Sequence, residues 1–173
     1  MRKKACRVLP YLSILLTAFL LNGCAAYRLG TTLPGDLRSV YVPTSENNTN
    51  EPGIEIEVPD AVITRFRQDG NLKPVSRQEA DTLVEGIIIS WDRAVLDYTG
   101  EDDDEVDEYR LYVTARIRFQ DLRTGEVIIS GENIRGHTDF LVGSNLTASE
   151  EAARPDAFKD LSRRVVDAVV SIW

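Results

Sequence analysis

The sequence predicts an α+β fold: two helices packed on one face of a mainly antiparallel sheet of about four strands. Three patterns lead there. Tyr109, Leu111, Val113, Ala115, Ile117 and Phe119 alternate with Arg110, Tyr112, Thr114, Arg116, Arg118 and Gln120, the period-two signature of a strand with one dry face. Ile54, Val58, Val62 and Phe66 recur every fourth residue, and Phe158, Leu161, Val165, Ala168, Val169 and Ile172 mark a second helical stripe. A sheet with one apolar face must bury it, and two amphipathic helices can cover it.

The elements follow in order. Residues 37–42 alternate up to Pro43 and make a first strand, and residues 44–53, rich in Asn, Thr, Ser, Pro and Gly, read as a loop full of turns. The first helix carries Pro59, which is tolerated in a first turn, so its firm part is expected over 59–69 with Gly70 just past the end. Residues 72–75 form a short strand that Pro74 confines to an edge, and Ser76 and Glu79 have capping-box spacing for a small turn of helix. A long strand spans 82–98, apolar on both faces near its start, with a slip in alternation at 92–94 that suggests a bulge. Residues 101–108 form an acidic loop, and Leu122-Arg123-Thr124-Gly125 turns the next strand back into a partner over 126–136. Pro155 sits where the last helix can begin, with a separate turn over 147–153.

The N-terminus belongs to export rather than to the fold. Arg2, Lys3, Lys4 and Arg7 precede an apolar run over 8–21, the layout of a signal peptide and shorter than the roughly 20 residues a membrane-crossing helix needs. The run ends in Leu21-Asn22-Gly23-Cys24, which resembles the lipobox of bacterial lipoproteins. That resemblance implies cleavage after residue 23, acylation of Cys24, and, with Ala25 in place of a retention aspartate, an outer-membrane destination on the periplasmic side. The expected organisation is a leader over 1–23, a lipidated lead over 24–36 and a single domain over 37–173. With Cys6 lost and Cys24 acylated, such a chain keeps no thiol for a disulfide or a nucleophile.

Charge and chemistry exclude several functions. The whole chain carries 20 basic and 28 acidic residues. The leader removes four of the basic ones, leaving 16 against 28, a formal charge of −12 that speaks against nucleic acid as a partner. Seven of the acids lie in residues 101–108, so the acidity is concentrated in one loop. That loop fails the EF-hand pattern, because Val106 stands at the third ligand position counted from Asp102 and Val113 where the closing glutamate belongs. The single histidine, His137, falls at an expected strand end and leaves no material for a His-rich metal site or a Ser-His pair. No phosphate-cradling glycine motif occurs. Neither a catalytic residue, a metal site nor a cofactor is predicted.

The motifs together resemble a family. The lipobox is followed by Tyr27-Arg28-Leu29-Gly30, Leu33-Pro34 and Val40-Tyr41-Val42-Pro43. Next comes Glu46-Asn47-Asn48-Thr49-Asn50-Glu51-Pro52-Gly53, heading a helix that ends Arg67-Gln68-Asp69-Gly70. Glu79-Ala80-Asp81-Thr82-Leu83-Val84-Glu85-Gly86 and the Asp121-Leu122-Arg123-Thr124-Gly125-Glu126 hairpin complete the likeness. The chain resembles LptE, the lipopolysaccharide-assembly lipoproteins. The resemblance implies two helices on a four-stranded sheet, a plug seated in the outer-membrane barrel LptD, lipopolysaccharide as ligand, and no catalysis. A second likeness is to LpoB, a lipoprotein that regulates a cell-wall synthase. Those proteins have a long tether, whereas about a dozen residues here separate Cys24 from the first strand, a reach of at most roughly 40 Å.

Two surfaces stand out as candidates. Asn47, Thr49, Pro52 and Gly53 form the signature loop, where Asn and Thr side chains bond their own backbone and Gly permits positive φ. Arg110, Tyr112, Arg116 and Arg118 lie on the wetter face of the central strand, three cations and an aromatic in an acidic protein, suited to contact a partner or lipopolysaccharide. The alternative is that cross-strand acids such as Glu132 neutralise these arginines.

Overall fold

The computed structural model describes residues 37–99, 105–143 and 145–172. The leader, Cys24, the lead up to residue 36 and the acidic residues 101–104 lie outside the described residues. The elements are β1 (Ser39–Tyr41), β2 (Glu46–Asn47), α1 (Ile54–Asp69), β3 (Lys73–Pro74), β4 (Thr82–Thr99), β5 (Glu105–Asp121), β6 (Val127–Leu141) and α2 (Leu146–Val170).

The fold is α+β with two helices, as predicted, but the sheet has six strands and is mixed. Its order is β3-β1-β4-β5-β6, with β2 also against β4. β1 runs parallel to β3 and β4, and β2 runs parallel to β4. The β4-β5-β6 meander is antiparallel. The expectation of four mainly antiparallel strands fails at the N-terminal edge, because α1 carries the chain back across the sheet between β2 and β3 and so makes the pairings there parallel. β2 lies inside the predicted loop, where a two-residue strand has no alternation to read. It continues the line of β1, since Tyr41 faces Leu83 and Glu46 faces Ile87, an advance of five residues against four.

The helices pack on the dry face. Leu111, Val113, Ala115, Ile117 and Phe119 of β5 are all buried, under Val58, Val62 and Phe66 of α1 and Phe158, Leu161, Val165 and Val169 of α2. The twelve largest fully buried side chains all belong to this one core, so packing carries the fold. Trp91 extends the core from β4, its ring 5.8 Å from that of Phe158.

Four boundaries differ from the sequence reading, each for a local reason. α1 begins at Ile54 and passes through Pro59. A proline there has no N–H for the carbonyl of Glu55; that carbonyl instead accepts from the Ser45 backbone N–H at 3.0 Å, so the missing helical bond becomes a tie to the chain ahead of β2. α2 starts at Leu146 rather than at Pro155 and includes the turn expected at 147–153, because Asn145 caps it by accepting from the Ala148 N–H at 2.7 Å. β6 runs on to Leu141 instead of stopping at Gly136, so His137 lies within the strand. Gly136 marks a close approach, since a Cβ there would sit 2.5 Å from the Leu161 nitrogen of α2. β5 begins at Glu105, so the last acidic residues belong to the strand, not to a loop.

The expected bulge in β4 also moves. Asp92, Arg93 and Ala94 pair regularly with Tyr112, Leu111 and Arg110, and the register shifts fall between Ile88 and Ser90 and between Val95 and Tyr98. Arg93 looked out of phase because a charge stands on the helix side, where it pairs with Glu150 of α2. Ser76 and Glu79 close a hydrogen-bonded turn and not a helix.

Candidate interaction face

The face of the sheet away from the helices carries the four residues singled out on β5, together with neighbours from β4 and β6. Cross-strand pairing sets Arg110 beside Asp139, Tyr112 beside His137, Thr114 beside Arg135, Arg116 beside Asn133 and Arg118 beside Ser130. On the other flank Arg118 faces Glu85 of β4.

Their electrostatics differ residue by residue. Arg110 holds Asp139 in a two-point contact, Nη2 to Oδ2 at 2.7 Å alongside the Nε bond. That hydrogen bonding raises the Arg110 pKa above its ordinary value and lowers that of Asp139. Arg118 donates to Glu85 at 3.2 Å, both side chains being well exposed. Arg116 donates from Nε to the Asn133 amide oxygen at 3.1 Å, a neutral partner. Tyr112 lies under the Arg135 guanidinium, 4.8 Å from ring centroid to Cζ, with the His137 ring 6.1 Å away. Cross-strand acids thus neutralise two of the arginines, but the acids are Asp139 and Glu85. Glu132 pairs with Ile117.

Arg135 escaped the sequence reading. The register shifts between Ile117 and Arg118 on β5, where Ser130 and Glu132 are the successive partners and Gly131 is the extra residue at φ +79°. The bulge changes which residues of β6 face away from the helices, and so places Asn133, Arg135, His137 and Asp139 beside the arginines. The signal available beforehand was Gly131 itself.

The signature loop is a separate, internally bonded unit. Asn47 Nδ2 donates to the Glu51 carbonyl at 2.7 Å, and its Oδ1 accepts from the Thr49 hydroxyl at 2.7 Å and the Thr49 N–H at 3.0 Å. Gly53 caps α1 at φ 88°. A partly buried cation locks the loop to α2: Arg154 reaches Glu51 at 2.8 Å, the Pro52 carbonyl at 3.2 Å and Glu57 at 3.1 Å. Its guanidinium lies over Trp91, 5.5 Å from the centroid. Nothing in the sequence flagged Arg154, because its partner Glu51 is 103 residues away. The loop residues therefore spend their polar groups on one another.

No group of three or more His, Cys, Asp or Glu among the described residues could hold a metal ion, and no described helix is long and apolar enough to cross a membrane. The arrangement offers an open, arginine-bearing sheet face for binding.

The LptE family model, described as lipopolysaccharide-assembly, matches residues 37–169, over three quarters of the chain. The chain belongs to the LptE family. The match decides the family in favour of the first of the two resemblances, and as an LptE protein the chain falls in a family of lipoproteins without catalytic chemistry. Solved structures share the fold. The hypothetical protein CT253 from Chlamydia trachomatis is 14% identical over 79% of this chain and 97% of its own, with a TM-score of 0.57. XCC0632 from Xanthomonas campestris is 11% identical over 80% of this chain and 90% of its own, at 0.54. A minor lipoprotein from Acinetobacter baumannii is 10% identical over 78% and 94%, at 0.52. No curated protein matches the chain.

Proposed function

We propose that this LptE-family protein is an outer-membrane lipoprotein that works by binding, as plug and assembly partner of an LptD-like barrel in lipopolysaccharide transport to the outer leaflet. The family match over residues 37–169 carries the reading. Residues 1–23 would be cleaved, Cys24 would be acylated and residues 24–36 would lead to one domain. Several acyl chains, each buried methylene worth about 0.8 kcal/mol, would hold it to the membrane almost irreversibly.

The contact face is the open side of the sheet, with Arg110, Tyr112, Arg116 and Arg118 on its central strand. It is the side that the helices leave uncovered, and arginine and tyrosine suit interface cores. Reversing the charge at Arg116 and Arg118 together tests this. Because both side chains are exposed, the variant should fold as the wild type does, yet lose barrel co-purification or lipopolysaccharide binding. A folded double variant that still captures both partners at wild-type level would remove this face from the mechanism.

A further inference from the structure

Beyond Ile88, β4 is paired along one edge alone. On the β5 side the pairing continues to Thr99. On the other side β1 meets Thr82 and Leu83, β2 meets Ile87 and Ile88, and the last bond runs from the Asn48 N–H to the Ile88 carbonyl at 2.9 Å. From Ser90 onward that edge has no strand beside it among the described residues, so its outward N–H and carbonyl groups form a template for one more strand. The far edge of the sheet is better closed. There α2 crosses β6 at Gly136, and the Asp160 carboxylate accepts from the His137 N–H at 3.1 Å.

The free edge borders a cleft of about 680 Å³, walled by Trp91 and Arg93 of β4, Glu150 and Arg154 of α2 and Glu51 of the signature loop. Arg154 holds Glu51, while Arg93 and the Trp91 Nε1 hold Glu150. Asp92 and Glu151 line the same cleft, are exposed, and have no cation within ion-pair distance among the described residues. Carboxylates thus outnumber cations in the cleft. A strand laid along the edge sends alternate side chains into it, where lysine or arginine meets the two unpaired acids. Val95 and Leu96, both exposed, continue the same edge and suit β-branched residues between the cations. A second copy of this edge would instead bring the same acidic surplus against itself.

We propose that the β4 edge over residues 90–96 takes up an extended, basic segment of another polypeptide as an added strand. Main-chain bonds supply the affinity, and the cleft selects lysine or arginine at alternate positions. This surface is distinct from the arginine-bearing face, and the inference does not rest on the barrel reading.

The test is titration of the full chain, in uncharged detergent, with a blocked nonapeptide of alternating lysine and valine, read by calorimetry and by amide hydrogen exchange. The peptide should bind and slow exchange of amides within residues 90–96, and its counterpart with glutamate for lysine should not bind measurably. Only one set of alternate peptide N–H groups faces the edge. Methylating the lysine amides in one version and the valine amides in another should therefore abolish binding in one and spare it in the other. D92N/E151Q should weaken binding about tenfold, the loss of two exposed ion pairs. D60N/D156N, which removes two exposed carboxylates from the helices, should stay within twofold. Wild-type melting temperatures for both variants exclude misfolding as the cause. No binding at millimolar concentration, equal binding of the two methylated peptides, or unchanged exchange over 90–96 would overturn the edge site. Full affinity in D92N/E151Q would overturn the role of the cleft. Protection of the same amides without peptide, rising with chain concentration, would make a second copy the occupant and overturn the proposal.

Discussion

The Arg154 guanidinium lies 2.8 Å from the Glu51 carboxylate, and this pair joins the signature loop to α2 across 103 residues of chain. The arginine also meets Glu57 and the Pro52 carbonyl and packs over Trp91 and Phe158, with only 13% of its side chain exposed. Removing it leaves two carboxylates facing a gap and strips the contact from Trp91. Arg154→Ala should cost about 2 to 4 kcal/mol in equilibrium unfolding, through lost packing as well as an unpaired charge. Hydrogen exchange at the Thr49 and Glu51 amides, which are held inside the loop, should rise. A loss below 0.5 kcal/mol, as for an ordinary surface substitution, would mean that the loop holds itself.

Gly136 sits where α2 crosses β6. A methyl group there would lie 2.5 Å from the Leu161 nitrogen and 2.6 Å from its Cα, both backbone atoms that cannot rotate aside. Gly136→Ala should therefore force the helix off the strand and cost about 1 to 3 kcal/mol, the range for overpacking a core. The check is a chemical denaturation midpoint. An unchanged midpoint would contradict the close approach.

Asp81 fastens β1 to the start of β4. Its carboxylate accepts from the Arg38 N–H at 2.9 Å, the Ser39 N–H at 3.0 Å and the Ser39 hydroxyl at 2.8 Å. These bonds hold its pKa below the ordinary carboxylate value, the Arg38 bond foremost. The folded chain then binds fewer protons than the unfolded chain at acidic pH. The stabilisation is complete above about pH 4 and is lost as pH falls through the lowered folded pKa. Stability measured from pH 6 downward should decline below about pH 4, and Asp81→Asn should make that decline shallower while lowering the plateau. An identical slope in the variant would remove Asp81 from the acid response.

What could be read from the sequence was whatever its own period encodes. β5 announced itself: of its six predicted inward residues, Leu111, Val113, Ala115, Ile117 and Phe119 are buried and Tyr109 is partly buried against the same core. The helical stripes found both helices. What escaped was set by partners distant in the chain. α1 survives Pro59 because Ser45 takes up the freed carbonyl of Glu55, and α2 reaches back past Pro155 to a cap at Asn145. The parallel edge follows from a crossover that periodicity does not record. For the interaction face, β5 could be assigned from alternation, but Arg135 could not, since one bulged residue, Gly131, changes which side of β6 faces outward.

If this LptE-family chain functions seated with a barrel, capture of the native lipidated protein will bring the barrel with it. Isolated from outer membranes in mild detergent, the protein should bring down one large LptD-like β-barrel in a fixed ratio, with lipopolysaccharide in the complex. Capture of the intact lipoprotein with no barrel, from membranes where that barrel is present, would mean that the protein does not work as a barrel plug.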